Sequence, residues 1–181
     1  MYVRVVPYDP QWPALFAEEA TRIRAVFDGE LLAIHHIGST SVPGLQAKPV
    51  IDMLPIVAQI ERVDSFNEAM QRLGYEAMGE LGIPGRRYFR KGGDDRTHQA
   101  HVFAQGDANI ERHLAFRDYL RAHPSVAAEY GVLKAILAQR FPEDINGYMD
   151  GKDAFIKENE RQALLWYRAL QRHEMPELSG S

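Results

Sequence analysis

The 181-residue chain contains no cysteine. That absence removes disulfide staples, thiolate metal ligands and cysteine nucleophiles in one step, and it fits a reducing compartment. Long apolar runs are also missing: none approaches the ~20 residues that a bilayer-spanning helix needs. The stretch Met1 to Pro10 has no apolar h-region of the kind a secretory leader carries. A soluble, cytoplasmic protein with no membrane partner is therefore expected. A large excess of one charge over the other is missing too. With 21 basic and 25 acidic residues the net charge is −4, which gives no global field for wrapping an extended nucleic acid. A local basic pocket for a small anion is compatible with that balance. The chain also has no Walker lysine loop, no Gly-x-Gly-x-x-Gly, no His-Glu-x-x-His and no nucleophile elbow around Ser39.

What is present is an ordinary globular composition, 45% apolar and 25% charged, in a chain long enough for one sizeable core with a helical extension. Residues 2–6 are β-prone and stop at Pro7. Asp9 with Pro10 predicts a capped helix start, and Trp12, Leu15, Phe16, Ile23, Val26 and Phe27 recur at helical spacing. Strands are expected over 31–37 and 50–57, with pairing disturbed near Pro55. A helix over 61–73 closes at Gly74, and strand-like pieces follow at 75–80, 86–91 and 98–105. From Asp107 onward the periodicity is helical, in three stretches. The expected class is α/β (α+β), a mixed sheet flanked by helices. Its organisation is a core over 1–106, a helical portion over 107–173 packed on it, and a disordered tail over 174–181.

Chemistry concentrates between His36 and Asp52. Gly38 lets the backbone turn sharply and approach a ligand closely. Ser39, Thr40 and Ser41 offer three hydroxyls beside backbone N–H groups, a cradle for phosphate oxygens. Lys48 adds a positive charge. Asp52 shares a strand face with Val50, Leu54 and Ile56, and a carboxylate there can hold a divalent metal bridging phosphates. A plain Ser/Thr-rich turn would need none of this. The convergence of loop, lysine and a carboxylate on an apolar strand favours a site.

The segment His36 to Asp52 resembles the signature of the GrpB (UPF0157) family. The likeness begins at Tyr8-Asp9-Pro10-Gln11-Trp12-Pro13. It continues through Gly82 to Phe89, Arg96 to Val102 and Phe116 to Leu120, and reaches Tyr130, Lys134 and Lys152. The resemblance implies a nucleotidyltransferase-like core of the polymerase-β-like superfamily. In that pattern a Gly-Ser pair precedes an Asp-hydrophobic-acidic strand, yet Leu54 occupies the second acidic position.

Histidines are the candidates to substitute. His101 shares a face with Gln99 and Phe103, whereas His98 points the other way or lies at the strand entrance. His101 would either join Asp52 on a metal or sit half-buried on a neighbour's hydrogen bond, and His36 is open to the same two roles. Around them, Arg87, Lys91 and Arg96 lie on or beside the neighbouring strand pair, and Arg117 falls on the Ile110–Leu114 stripe. Lys134 follows Tyr130 by one helical turn, and Lys152 begins the last apolar stripe. Cations on inward stripes need acidic partners or a bound anion.

The resulting expectation is metal-dependent transfer of a nucleotidyl or phosphoryl group on a nucleotide or other phosphorylated small molecule. Asp52 and Lys48 carry the chemistry in this reading. Gly38, Ser39, Thr40, Ser41, Arg87, Arg117 and Lys134 bind phosphate, and Asp52 with His101 holds the ion (Mg²⁺ or Mn²⁺, with Zn²⁺ as the alternative). A binding module without turnover is the second reading. Its ligand would be a nucleotide or a coenzyme A precursor, since GrpB-like domains occur fused to dephospho-CoA kinase. A metal-dependent hydrolase using His98, His101 and Asp52 is the third.

Overall fold

The computed structural model describes residues 2–174; the tail expected over 174–181 lies outside them except for Glu174, which ends the last helix. Helix α1 (Trp12–Phe27) starts two residues later than the Asp9-Pro10 signal suggests, with Pro13 in its first turn. Asp9 instead shapes the preceding turn, its carboxylate accepting from the Gln11 N–H at 2.9 Å. Then come β1 (Leu31–Ile37), β2 (Ile51–Val57), a 3-10 segment (Ile60–Phe66) running into the short α2 (Asn67–Arg72), and β3 (Tyr75–Ala77). Strands β4 (Arg87–Lys91) and β5 (His98–Ala104) precede three helices: α3 (Ala108–Ala122), α4 (Pro124–Arg140) and α5 (Ile145–Glu174). The strand expected over 2–6 is reduced to a single bridge between Val6 and Ala47. Its backbone is otherwise tied down by Val3, whose N–H donates to the Pro142 carbonyl.

The five strands form one mixed sheet in the order β1-β2-β5-β4-β3. β2 and β5 pair in parallel, and the remaining neighbours are antiparallel. The β2–β5 ladder lapses at Leu54 and Pro55 and resumes in the same register at Ile56, because Pro55 has no N–H to give. No helix among the described residues is long and apolar enough to cross a membrane.

Strand alternation divides the apolar residues between two cores. On one face Ile51, Met53, Phe89, Ala100 and Val102 pack with Ile23 and Phe27 of α1. On the other, Leu54 joins Ile37 and Phe103 beneath Ile110 and Leu114 of α3. This second face carries Asp52, Gln99 and His101 at its polar end. The long α5 lies against α3 and α4. Its Gly151 leaves room for Leu137 of α4, whose side chain a Cβ at that position would strike. The two helices thereby close over the polar end of the sheet.

Candidate functional site

Ile37 ends β1 directly opposite Asp52 of β2, so the chain leaves the sheet at the carboxylate. Gly38 makes the turn with φ +72°, in the left-handed region, and a Cβ there would lie 2.7 Å from Asp52 Oδ2. Glycine is needed twice over, for conformation and for space. The three hydroxyls that follow are not equivalent. Thr40 Oγ1 donates to the Val50 carbonyl at 3.2 Å, so it accepts from His36 Nε2–H at 2.9 Å. Ser41 Oγ donates to the Gly38 carbonyl. Both are engaged inside the loop, whereas Ser39 lines the cavity, where its side chain pairs with that of Tyr130. Helix α3 holds this segment from outside: Arg117 Nη1 donates to the His36 carbonyl (3.2 Å) and Arg121 Nε to the Ser41 carbonyl (2.9 Å). His36 stacks on Phe16 at 4.8 Å. Burial pushes its pKa down to about 4, which keeps it a neutral donor to Thr40.

Beyond the loop lies a cavity of about 480 Å³, bounded by the polar end of the sheet and by α3, α4 and α5. That is the size of an ordinary small-molecule pocket. Three lysines line one end: Lys48 from the loop, Lys134 from α4 and Lys152 from α5. Lys134 is 1% exposed, and its Nζ has no hydrogen-bond partner among the described residues. The ring of Tyr130 lies 4.5 Å from it. Lys48 and Lys152 both lie over the ring of buried Tyr148, at 5.2 and 4.8 Å. Such contacts recover part of a cation's lost hydration but do not replace a counter-ion. Burial, reinforced by the neighbouring lysines, lowers the pKa of Lys134 to about 6 and that of Lys152 to about 8. Burial lowers that of Lys48 too, against the pull of Asp52.

The sheet supplies the other wall. Asp52 Oδ1 is 3.1 Å from His101 Nε2, while His101 Nδ1 lies 3.4 Å from Arg86 Nη1. A guanidinium can only donate, so Nδ1 accepts and Nε2 carries the proton towards Asp52. With the Gln99 amide turned so that its nitrogen faces Asp52 (2.9 Å), its oxygen accepts from the Tyr88 hydroxyl and from Arg96. Arg86, 8% exposed, is otherwise tied to the Glu80 and Leu81 carbonyls and lies 4.9 Å from the Tyr88 ring. Five cations on this cavity, Lys48, Lys134, Lys152, Arg86 and Arg96, have no carboxylate partner among the described residues.

Of the residues anticipated from sequence, Gly38, Ser39, Thr40, Lys48, Asp52, His101 and Lys134 all border this one space. Three do not. Arg87 shares strand parity with Phe89 and so faces the α1 side, where its Nε meets Asp64 at 2.7 Å. Arg117 is spent on Asp118 (2.8 Å) and the His36 carbonyl, and therefore positions the loop instead of touching its contents. Ser41 is buried within the turn. His98, required by the hydrolase reading, projects towards Glu19 and Lys91 on the far face and cannot join Asp52 and His101. Sequence reasoning did not single out Arg86, Tyr88, Arg112, His113 or Tyr148, all on the cavity wall. Tyr88 was recoverable from β4 alternation, and the helical residues depend on how α3 and α5 dock.

The donor set does not fit a polymerase-type two-metal centre, which needs several carboxylates. The register neighbours of Asp52 are Ile37 and Gln99, and Leu54 is fully buried in apolar contacts. The cavity's other carboxylate, Glu160, is paired with Arg112 at 3.3 Å. Among the described residues no group of three His, Cys, Asp or Glu side chains is placed to hold an ion.

Comparison with known proteins places this geometry. A family model described as GrpB protein matches residues 2–162. The UPF0157 protein YqkA of Bacillus subtilis is 54% identical over 164 residues, spanning 91% of this chain but 48% of its own length. The chain thus covers about half of that relative. A dephospho-CoA kinase of Mycolicibacterium paratuberculosis is 26% identical over 91% of this chain and 46% of its own. Among solved structures, the conserved protein GrpB from Enterococcus faecalis superposes with a TM-score of 0.88 at 50% identity, covering 91% of this chain and 99% of the other. The Cid1 poly(U) polymerase, in its Mg 3'-dATP complex, superposes with a TM-score of 0.52 at 11% identity over 81% of this chain and 49% of the other, a likeness of fold.

Proposed function

The chain belongs to the GrpB family and has a nucleotidyltransferase-like fold, and from that premise we propose that its cavity binds a phosphorylated small molecule of the nucleotide class. One observation carries the reading: Lys134 is sealed to 1% exposure with no partner for its Nζ among the described residues, beside two further lysines. Burying such a group costs stability unless something compensates it. A phosphate oxyanion supplies the missing charge and acceptors at once. Gly38 and Ser39 line the same cavity, and the Ser39 side chain meets that of Tyr130, whose ring lies by Lys134. The cavity, also lined by Tyr88 of β4 and Phe116 of α3, has room at about 480 Å³ for the body of the ligand.

Binding is a better-supported reading than transfer. Nucleotidyl or phosphoryl transfer of the superfamily type calls for a set of acids around its ions, and the position that would supply the second acid is the apolar, fully buried Leu54. The names of relatives suggest where to look for ligands: Cid1 was solved with Mg 3'-dATP, and others are dephospho-CoA kinases.

The test is a thermal-shift series with pyrophosphate, ATP, AMP and phosphorylated coenzyme A precursors, on wild type and Lys134→Met. A native-state ligand at 100 times its Kd adds about 2.7 kcal/mol of stability, an easily read shift. Wild type is expected to shift with at least one of these compounds, and Lys134→Met by about 1 kcal/mol less at the same concentration. Equal shifts in both proteins, or no shift with any phosphorylated compound, would remove the reading.

A further inference from the structure

The surroundings of Asp52 go further than the presence of an anion site. A carboxylate that holds a divalent ion presents free lone pairs to it and is helped by other oxygens or by unprotonated imidazoles. Here Oδ1 faces donors: the Nε2–H of His101, fixed in that tautomer by Arg86, and the Gln99 amide nitrogen. Oδ2 packs against Gly38, close enough that a methyl group would not fit between them. The positions across the sheet ladders, Ile37 and Gln99, bring no second acid.

The charge on the ligand side points the same way. Lys48, Lys134 and Lys152 each feel the field of Asp52, so one carboxylate serves three ammonium groups. Basic groups therefore already outnumber acids where the phosphates of the proposed ligand would lie. A divalent ion at Asp52 would add to that excess with no unpaired acid of the cavity to offset it among the described residues, since Glu160 is held by Arg112.

Resting on the phosphate-binding reading, we infer that the cavity takes its ligand as the free polyanion, without a divalent cation. The ammonium groups of Lys48, Lys134 and Lys152 supply the countercharge that metal ions would otherwise bring. Its substrate class is thus an uncomplexed di- or polyphosphate, or a molecule carrying one. Asp52 is a positioning residue in this arrangement. It holds His101 and shapes the loop at Gly38, and its negative charge works against the ligand's phosphates instead of gripping them through an ion.

Isothermal titration of the full chain with inorganic pyrophosphate tests this, in EDTA and again with excess Mg²⁺, for wild type, Asp52→Asn and Lys134→Met. In EDTA wild type binds, and Lys134→Met loses about 10-fold or more, the worth of one charged hydrogen bond. Excess Mg²⁺ weakens the wild-type interaction by sequestering the free anion. Asp52→Asn tightens pyrophosphate in EDTA by about 3- to 10-fold, because a like charge has gone. A dependence on metal would appear with the opposite signs: binding only with Mg²⁺ or Mn²⁺ present, and lost in Asp52→Asn. That result overturns the inference and leaves phosphate binding standing. Absence of pyrophosphate binding in both buffers removes the phosphate reading and this inference with it.

Discussion

Glu19 and Lys134 are sealed to the same degree, each 1% exposed, on opposite sides of one sheet, and their surroundings differ completely. Glu19 on α1 accepts from Tyr75 Oη at 2.8 Å, Lys91 Nζ at 3.0 Å and Arg22 Nη1 at 2.8 Å. Burial pushes its pKa up, but those three donors outweigh it and the net shift is downward. Lys134 on α4 has an aromatic ring, two other lysines nearby and, among the described residues, no acceptor for its Nζ. The first is a buried charge completed by its own fold, and the second is a buried amine whose charged form awaits a counter-ion. Proteins tolerate the second kind where function requires it, so unsatisfied burial marks the site more sharply than burial alone.

The largest expected effect breaks the completed cluster. Glu19→Ala leaves Lys91 and the Tyr75 hydroxyl without their acceptor and is expected to cost about 3 kcal/mol in urea unfolding, with no change in pyrophosphate affinity. An equal loss of affinity would show that the two faces are coupled.

A smaller effect follows from pH. The folded pKa of Lys134, about 6, lies below the ordinary value of 10.5. Between them the unfolded chain holds a proton that the folded chain lacks, so stability rises with pH across that window, by at most about 1.4 kcal/mol per unit for one proton. Lys152, at about 8, contributes in the same direction above its own value. Glu19 has the opposite relation, its folded pKa lying below 4.5, so its contribution is present above that value and fades as pH falls below it. Anion binding favours the protonated lysines, so affinity is expected to fall as pH rises from 6 to 9, with proton uptake on binding. Titration in buffers of different ionisation enthalpy measures that uptake. Zero uptake at pH 7.5 would contradict the assignment of Lys134 to the ligand.

The smallest effect concerns Arg87. Its pair with the half-exposed Asp64 is worth about 0–1 kcal/mol, and it faces away from the cavity. Arg87→Gln is expected to leave pyrophosphate affinity within about 2-fold, in contrast to the loss in Lys134→Met. A larger loss would mean that β4 presents its other face to the ligand.

These contrasts show what the sequence could and could not disclose. The strand–loop–strand from His36 to Asp52 was legible because it depends on local rules: a glycine that must turn, and a carboxylate whose strand parity fixes its face. The mixed sheet, the helical second half and the shared face of Gln99, His101 and Phe103 followed from the same periodicities. Arg87 failed by a single residue of parity, since Tyr88 is the β4 side chain on the cavity. The strand expected over 2–6 failed because β-propensity carries no information about a partner, and only Val6 finds one. Thr40 and Ser41 offered hydroxyls whose engagement by Val50 and Gly38 is a matter of loop geometry. The convergence of Lys48, Lys134 and Lys152 needs α4 and α5 to dock over the sheet, a long-range arrangement that no local spacing encodes.

The most direct test of Lys134 as a stored, ligand-directed charge is one thermal unfolding experiment on wild type and Lys134→Met at pH 7.5, with and without pyrophosphate. Without ligand, the variant is expected to be the more stable protein, by about 1–3 kcal/mol, because an unsatisfied buried polar group has been replaced by an apolar one. With ligand, wild type gains clearly more stability than the variant. A variant that is less stable alone and gains as much from pyrophosphate would contradict the account.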